Sequence, residues 1–137
     1  MTLYILDTDH VTLHQNKHPK VMSRLRSCDP TDLAVTAITI DEQMRGRLAQ
    51  LKRPGKNISV AYERLITTAQ YFCDLTVLPF DDNAQERYQW LQSQKIRIGA
   101  MDKRIAAIVL EQNGVLVTRN RQDFERVPGL QFVDWSQ

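Results

Sequence analysis

Cysteine, glycine and long apolar runs are all scarce in this chain, and each scarcity removes a class of protein. Cys28 and Cys73 are the only cysteines among 137 residues, with no CxxC spacing and no histidine pair beside them. That excludes a disulfide-stapled scaffold and a structural zinc site. No apolar stretch approaches the roughly 20 residues that a membrane-spanning helix requires. The first hydrophobic segment, "LYIL" at 3–6, runs straight into acid. It reads as a strand rather than a leader peptide, so a cytoplasmic protein without membrane association is expected. Five glycines and five prolines form no linker or low-complexity tract. With 42% hydrophobic and 25% charged residues, the composition is that of one globular domain over 1–137.

Acid is also missing over one long stretch. Between Glu42 and Glu63 no carboxylate occurs, while Arg45, Arg47, Lys52, Arg53 and Lys56 all do. A second basic group is Lys17, Lys20, Arg24 and Arg26. The net charge of +2 says little, but this asymmetry suits either a polyanion-binding side or solvated helix faces. His10, His14 and His18 recur every four residues, which stacks them on one face of the first helix, either as a metal or phosphate contact or, the favoured reading, as an exposed polar face.

Strand and helix signals alternate along the chain. After the strand at 3–6, "HVTLHQNKH" begins a helix that Pro19 interrupts or restarts, and "KVMSRLRSC" continues in helical pattern to Asp29-Pro30. "LAVTAIT" (33–39) is a β-branched strand, followed by a helix with Met44, Leu48 and Leu51 on its apolar face. The stretch 58–75 is amphipathic, with Leu65, Ala69 and Phe72 on one side. "TVLPF" (76–80), "VLVT" (115–118) and "QFVDW" (131–135) are further strands, and helices are predicted over 83–95 and 98–114. Gly114 reads as the residue just past the last of these helices. Such alternation implies an α/β fold, a parallel sheet between helical layers, with ligands at the carboxyl ends of the strands.

The chemistry-bearing residues fall at those ends. "ILDTDHVTL" places Asp7 and Asp9 directly after the first strand. The segment resembles the Asp-x-Asp loop of haloacid dehalogenase-like phosphatases, in which Asp7 would attack phosphorus and Asp9 would act as acid. That pattern needs a strand-end Thr followed by a Lys and then an acidic pair. Here Thr118 comes after Asp102, and no lysine follows Lys103. The other arrangement is a split acidic site made of Asp7, Glu42, Asp102 and Asp123, each at a predicted strand end or helix start. Two carboxylates about 5 Å apart repel by roughly 3 kcal/mol at an effective dielectric near 20. A cluster of them must therefore take up protons or cations, and an all-oxygen donor set favours Mg²⁺ or Mn²⁺.

Three blocks together carry a family likeness: "YILDTD", "ITIDEQMRG" and "IGAMDKRIAAIVLEQNGVLVTRNRQDFERVPGLQFVDW". From residue 3 to Trp135 the chain resembles the PIN-domain ribonucleases of the VapC toxin type. The resemblance implies a three-layer α/β/α PIN-like domain with a mostly parallel sheet, and a Mg²⁺- or Mn²⁺-dependent endoribonuclease. It implies Asp7, Asp102 and Asp123 as metal ligands and Glu42 as the group orienting water. Asn120 stands where relatives carry Asn or Asp, and with Thr118 it is a candidate for positioning phosphate or fixing the carboxylates. Asp9 departs from the Asn or Ser of many relatives. It is a further metal or water contact, or a helix N-cap, and the N-cap preference of Asp favours the cap. Implied partners are an RNA substrate, a VapB-type antitoxin and a second copy of the chain. A catalytically silent RNA-binding PIN module and the phosphatase are the alternatives.

Overall fold

Adjacent residues in the short strands point to opposite sides of the sheet, and both sides are buried. The computed structural model describes residues 1–137. In β1 (Tyr4–Leu6), Ile5 enters one apolar cluster and Leu6 the other. The same division separates Ala34 from Val35 in β2 (Leu33–Thr36) and Leu116 from Val117 in β4 (Val115–Val117). With β3 (Thr76–Leu78) and β5 (Gln131–Val133), the strands form one sheet in the order β3-β2-β1-β4-β5. Every pairing is parallel, with Tyr4 opposite Leu33 on one side and Val115 on the other.

Helices cover both faces. The larger cluster joins Ile5, Ala34 and Leu116 to Ala84 and Leu91 of α5 (Asp82–Ser93) and to Ile105–Val109 of α6 (Ala100–Glu111). The smaller one packs Leu6, Val35 and Val117 against Val11 of α1 (Thr8–Gln15), Val21 of α2 (Pro19–Arg26), Phe72 of α4 (Ile58–Cys73) and Trp135. The remaining helices are α3 (Ala37–Lys52) and the single turn α7 (Arg121–Phe124). The chain leaves β1 for β2 and β3 on one side, then returns to lay β4 and β5 on the other. The strand order therefore reverses between β1 and β4, where α/β sheets open a crevice.

Several local expectations are revised. The second strand stops at Thr36 rather than at 39, because the Thr36 hydroxyl accepts from Thr39 N (3.2 Å) and starts α3 there. On α3, Leu48 is 49% exposed, so the Met44–Leu48–Leu51 stripe is not a core face. On α4 the inward residues are Ala61, Thr68 and Phe72, while Ala69 faces solvent. The first helix ends at Gln15, and Lys17 takes a left-handed turn (φ 58°) before Pro19 opens α2. His18 consequently leaves α1 and accepts from Val21 N at the start of α2. His14 bonds the Tyr71 hydroxyl (2.6 Å), and His10 is completely buried. The three histidines share no solvated face.

Asn113, not Gly114, adopts the left-handed conformation after α6 (φ 52°). Glycine is required at 114 for a different reason. A Cβ there would lie 2.7 Å from Ile5 Cδ1 and 3.0 Å from the Leu3 carbonyl oxygen, where β4 enters the sheet beside β1. Gly114→Ala is expected to destabilise the fold by about 1–3 kcal/mol, the usual cost of overpacking. Urea unfolding checks this, and an unchanged midpoint would contradict the tight fit.

Candidate functional site

Asp7 is the first residue past β1, and its backbone N–H still donates to the Val117 carbonyl (2.9 Å). This ladder bond fixes its side chain at the β1–β4 crevice. The residue is 6% exposed. Its Oδ1 accepts from Thr8 N (2.8 Å), which makes Asp7 the N-cap of α1, and its Oδ2 accepts from the Thr118 hydroxyl (2.8 Å). Thr118 is fully buried at the end of β4, and its hydroxyl also accepts from Asn120 N (3.0 Å). Thr118 thus fixes a carboxylate and has no surface left for substrate.

The expected cap, Asp9, does not cap. In the first turn of α1, it reaches across to the other strand end. Its Oδ2 accepts from Arg119 N (3.0 Å), and its Oδ1 bonds His10 Nδ1 (2.8 Å). Trp135 N–H donates to His10 Nε2 (3.2 Å), which puts the ring proton on Nδ1 and makes His10 the donor to Asp9. A helix start, a strand end and the C-terminal segment are tied together through one buried imidazole.

Glu42 lies in the second turn of α3. Its Oε1 accepts from the Thr8 hydroxyl (2.8 Å), which stands 3.0 Å from that of Thr39. Asp102 sits in the first turn of α6, and Asp123 in α7. The Asn120 amide donates to both, at 3.4 Å to Asp102 and 3.1 Å to Asp123. Asp7, Asp9, Glu42, Asp102 and Asp123 therefore surround one crevice at the carboxyl ends of β1 and β4, joined by Thr8, Thr118 and Asn120.

Gathering these acids has an electrostatic cost. Burial pushes the Asp7 carboxyl up to about 7, helped by the charges of Asp9 and Asp102 and opposed by its two hydrogen bonds. Burial likewise pushes Asp102 up to about 6, followed by repulsion from Glu42, Asp123 and Asp9. No lysine or arginine pairs with any of the five. The oxygen-only donors and their mutual repulsion fit a hard divalent cation. No three of them close into a ready-made cage. Asn120 stands between Asp102 and Asp123, and the Thr118 hydroxyl between Asp7 Oδ2 (2.8 Å) and Asp9 Oδ2 (3.4 Å), so an ion held here would keep several waters, as Mg²⁺ habitually does.

Sequence similarity is spread over the whole chain. No protein-family model matches it. The Haemophilus influenzae protein named "Ribonuclease VapC1" is 29% identical over 142 residues, covering 98% of this chain and 99% of its own. The Salmonella typhimurium "tRNA(fMet)-specific endonuclease VapC" is 24% identical over 139 residues, covering 98% and 99%. Among solved structures, VapBC-1 from nontypeable Haemophilus influenzae superposes with a TM-score of 0.79 at 25% identity, covering 99% of this chain and 100% of that one. The chain is thus similar over its whole length to VapC ribonucleases, and its fold is that of the VapC structures. DNA-bound VapBC from Salmonella typhimurium has the same fold, with a TM-score of 0.81 at 24% identity over 98% and 99% of the two chains.

The site also contains Thr8 and Thr39, which sequence reasoning missed, and His10, whose role beside Asp9 it did not find. Thr8 carried a faint signal, a hydroxyl between two aspartates. The spacing of His10 gave no sign of its partner Trp135, 125 positions away.

The burial of Asp7, reinforced by the charge of Asp9, predicts a pH dependence. Below about pH 4 the carboxyl is protonated in both folded and unfolded chains. Between 4 and about 7 the unfolded chain ionises first, so metal-free protein loses stability as pH rises, and above 7 the loss is complete. Asp7→Asn removes this penalty, at most about 4 kcal/mol. In chelator the variant should melt several degrees above the parent at pH 8 and match it near pH 4. A variant melting lower at pH 8 would show that the charge is not strained.

Proposed function

We propose that this protein is the ribonuclease toxin of a toxin–antitoxin pair, an endonuclease that hydrolyses RNA phosphodiester bonds with Mg²⁺ or Mn²⁺. The observation that carries this reading is the meeting of Asp7, Glu42, Asp102 and Asp123 at the β1–β4 crevice, in a chain VapC-like from end to end. Asp7, Asp102 and Asp123 would hold the ion. When bound, it would polarise the phosphate and acidify a water.

The chain's own groups do the rest. Thr118 and Thr8 N–H hold both oxygens of Asp7, leaving outer lone pairs free. Asn120 keeps Asp102 and Asp123 side by side, although each repels the other. Thr8 occupies Oε1 of Glu42, so Oε2 is the oxygen that would accept from the attacking water. The proton then passes toward Glu42 and the leaving 3′-oxygen takes one from solvent, giving a 5′-phosphate and a 3′-hydroxyl. An Asp7 with both oxygens engaged and no lysine beside it is ill-suited to a phosphoaspartate mechanism.

Relatives in solved structures are VapBC complexes. A VapB-type antitoxin is accordingly the proposed protein partner, silencing the site by setting an arginine or other cation against the carboxylates. A homodimer is proposed as well, with exposed Ile58, Tyr62 and Ile66 of α4 as available apolar surface. No helix is long and apolar enough to cross a membrane.

The test is cleavage of single-stranded RNA by purified protein. Activity should require Mg²⁺ or Mn²⁺, vanish in chelator, and fall at least a thousandfold in Asp102→Asn without any loss of melting temperature, the scale expected for losing a metal ligand at the reacting centre. Equal cleavage by Asp102→Asn and the parent would remove the acidic site from the reaction.

A further inference from the structure

On the β4–β5 side of the acidic crevice lies a second cleft of about 470 Å³, lined by Arg119, Asn120, Arg121, Gln122, Asp134 and Gln137. It has no apolar lining residue, which sets it apart from a pocket for a hydrophobic ligand. We propose that this cleft holds the RNA phosphate adjacent to the one being cut, with Arg119 and Arg121 as its cations. The inference rests on the ribonuclease reading above and extends it to the path of the substrate.

Position is the first argument. Asn120 lines the cleft, yet its amide also donates to Asp102 and Asp123, so the two spaces share a wall. Arg119 is anchored by its own backbone N–H on Asp9 (3.0 Å), and its side chain therefore starts at the rim of the acidic site. A strand laid across the crevice reaches this cleft with the next nucleotide.

Charge is the second. The crevice gathers five carboxylates, and a polyanion must approach them. Neighbouring phosphates then need cations of the protein's own to offset that field. Half of the ten other arginines have partners within the chain. Arg45 pairs with Asp41, Arg87 with Glu111, Arg47 bonds Thr68, Arg126 bonds the Arg97 carbonyl, and Arg104 lies over Tyr88. Arg119 and Arg121 are exposed and make no ion pair or side-chain hydrogen bond. Guanidinium is the group that grips phosphate in a planar fork.

The cleft has one acid, Asp134. Its Oδ1 accepts from both Ser136 N (2.8 Å) and the Ser136 hydroxyl (2.6 Å), and lies 3.5 Å from His10 Nε2. This wall repels phosphate and leaves it the arginine side. The amides of Gln122 and Gln137 remain for sugar or base edges.

Steady-state cleavage of a random-sequence single-stranded RNA pool tests the proposal, using the full-length chain with Mg²⁺. For the double variant Arg119→Ala/Arg121→Ala the expected result is a KM raised about tenfold with kcat within about threefold. The log–log salt slope of kcat/KM should become shallower by about 0.7, the value for one phosphate contact on a single strand. Arg119→Lys/Arg121→Lys should recover most of the loss. A merely structural role would lower melting temperature and kcat instead, without altering the salt slope. An unchanged KM and slope in the alanine variant, beside an active parent, overturns the subsite alone. A parent that cuts no RNA overturns the ribonuclease reading and the subsite with it.

Discussion

Asp7 is held where a carboxylate does not want to be. A parallel strand ends there, so its backbone is committed to the sheet and its side chain has no choice but the crevice. Everything near it serves to keep that arrangement. Thr118 and Thr8 N–H hold its two oxygens, Asp9 is pulled toward Arg119 and His10, and Asn120 bridges Asp102 and Asp123. Neutral donors replace the counter-cations that a purely structural acidic cluster would need. The proposed divalent cation would supply the positive charge that the protein's own side chains do not.

That arrangement explains the architecture around it. Strands of three or four residues suffice because each alternates one side chain into each layer, and the helices close both faces. The reversal of strand order between β1 and β4 makes room for the acids between helix starts. Gly114 lets β4 lie tightly against β1, and His10 links that edge to the C-terminal segment through Trp135. Fold and site share these contacts, and a loss of packing at the β1–β4 seam displaces carboxylates from both sides of the crevice.

The alternation of strand and helix was readable because the apolar runs are short and punctuated, and the acids at their ends followed from it. Asp7, Glu42, Asp102 and Asp123 converge as expected from strand ends alone. What was unreadable depends on tertiary partners. "TAIT" looks like strand, but Thr36 uses its hydroxyl to start a helix, which carries Glu42 into the second turn instead of the first. Asp9 looks like a cap, but Asp7 caps and Asp9 crosses to Arg119. The histidine spacing looks solvated, because nothing in a four-residue period announces that a backbone N–H from position 135 will meet His10.

The central claim is that the acids are arranged for a divalent cation. Equilibrium binding of Mn²⁺, followed by electron paramagnetic resonance without any RNA present, tests it most directly. The account predicts saturable binding to the parent at neutral pH, weakened at least tenfold in both Asp7→Asn and Asp102→Asn, as expected when a ligand or its orienting partner is lost. Equal Mn²⁺ binding by the parent and both variants would contradict it.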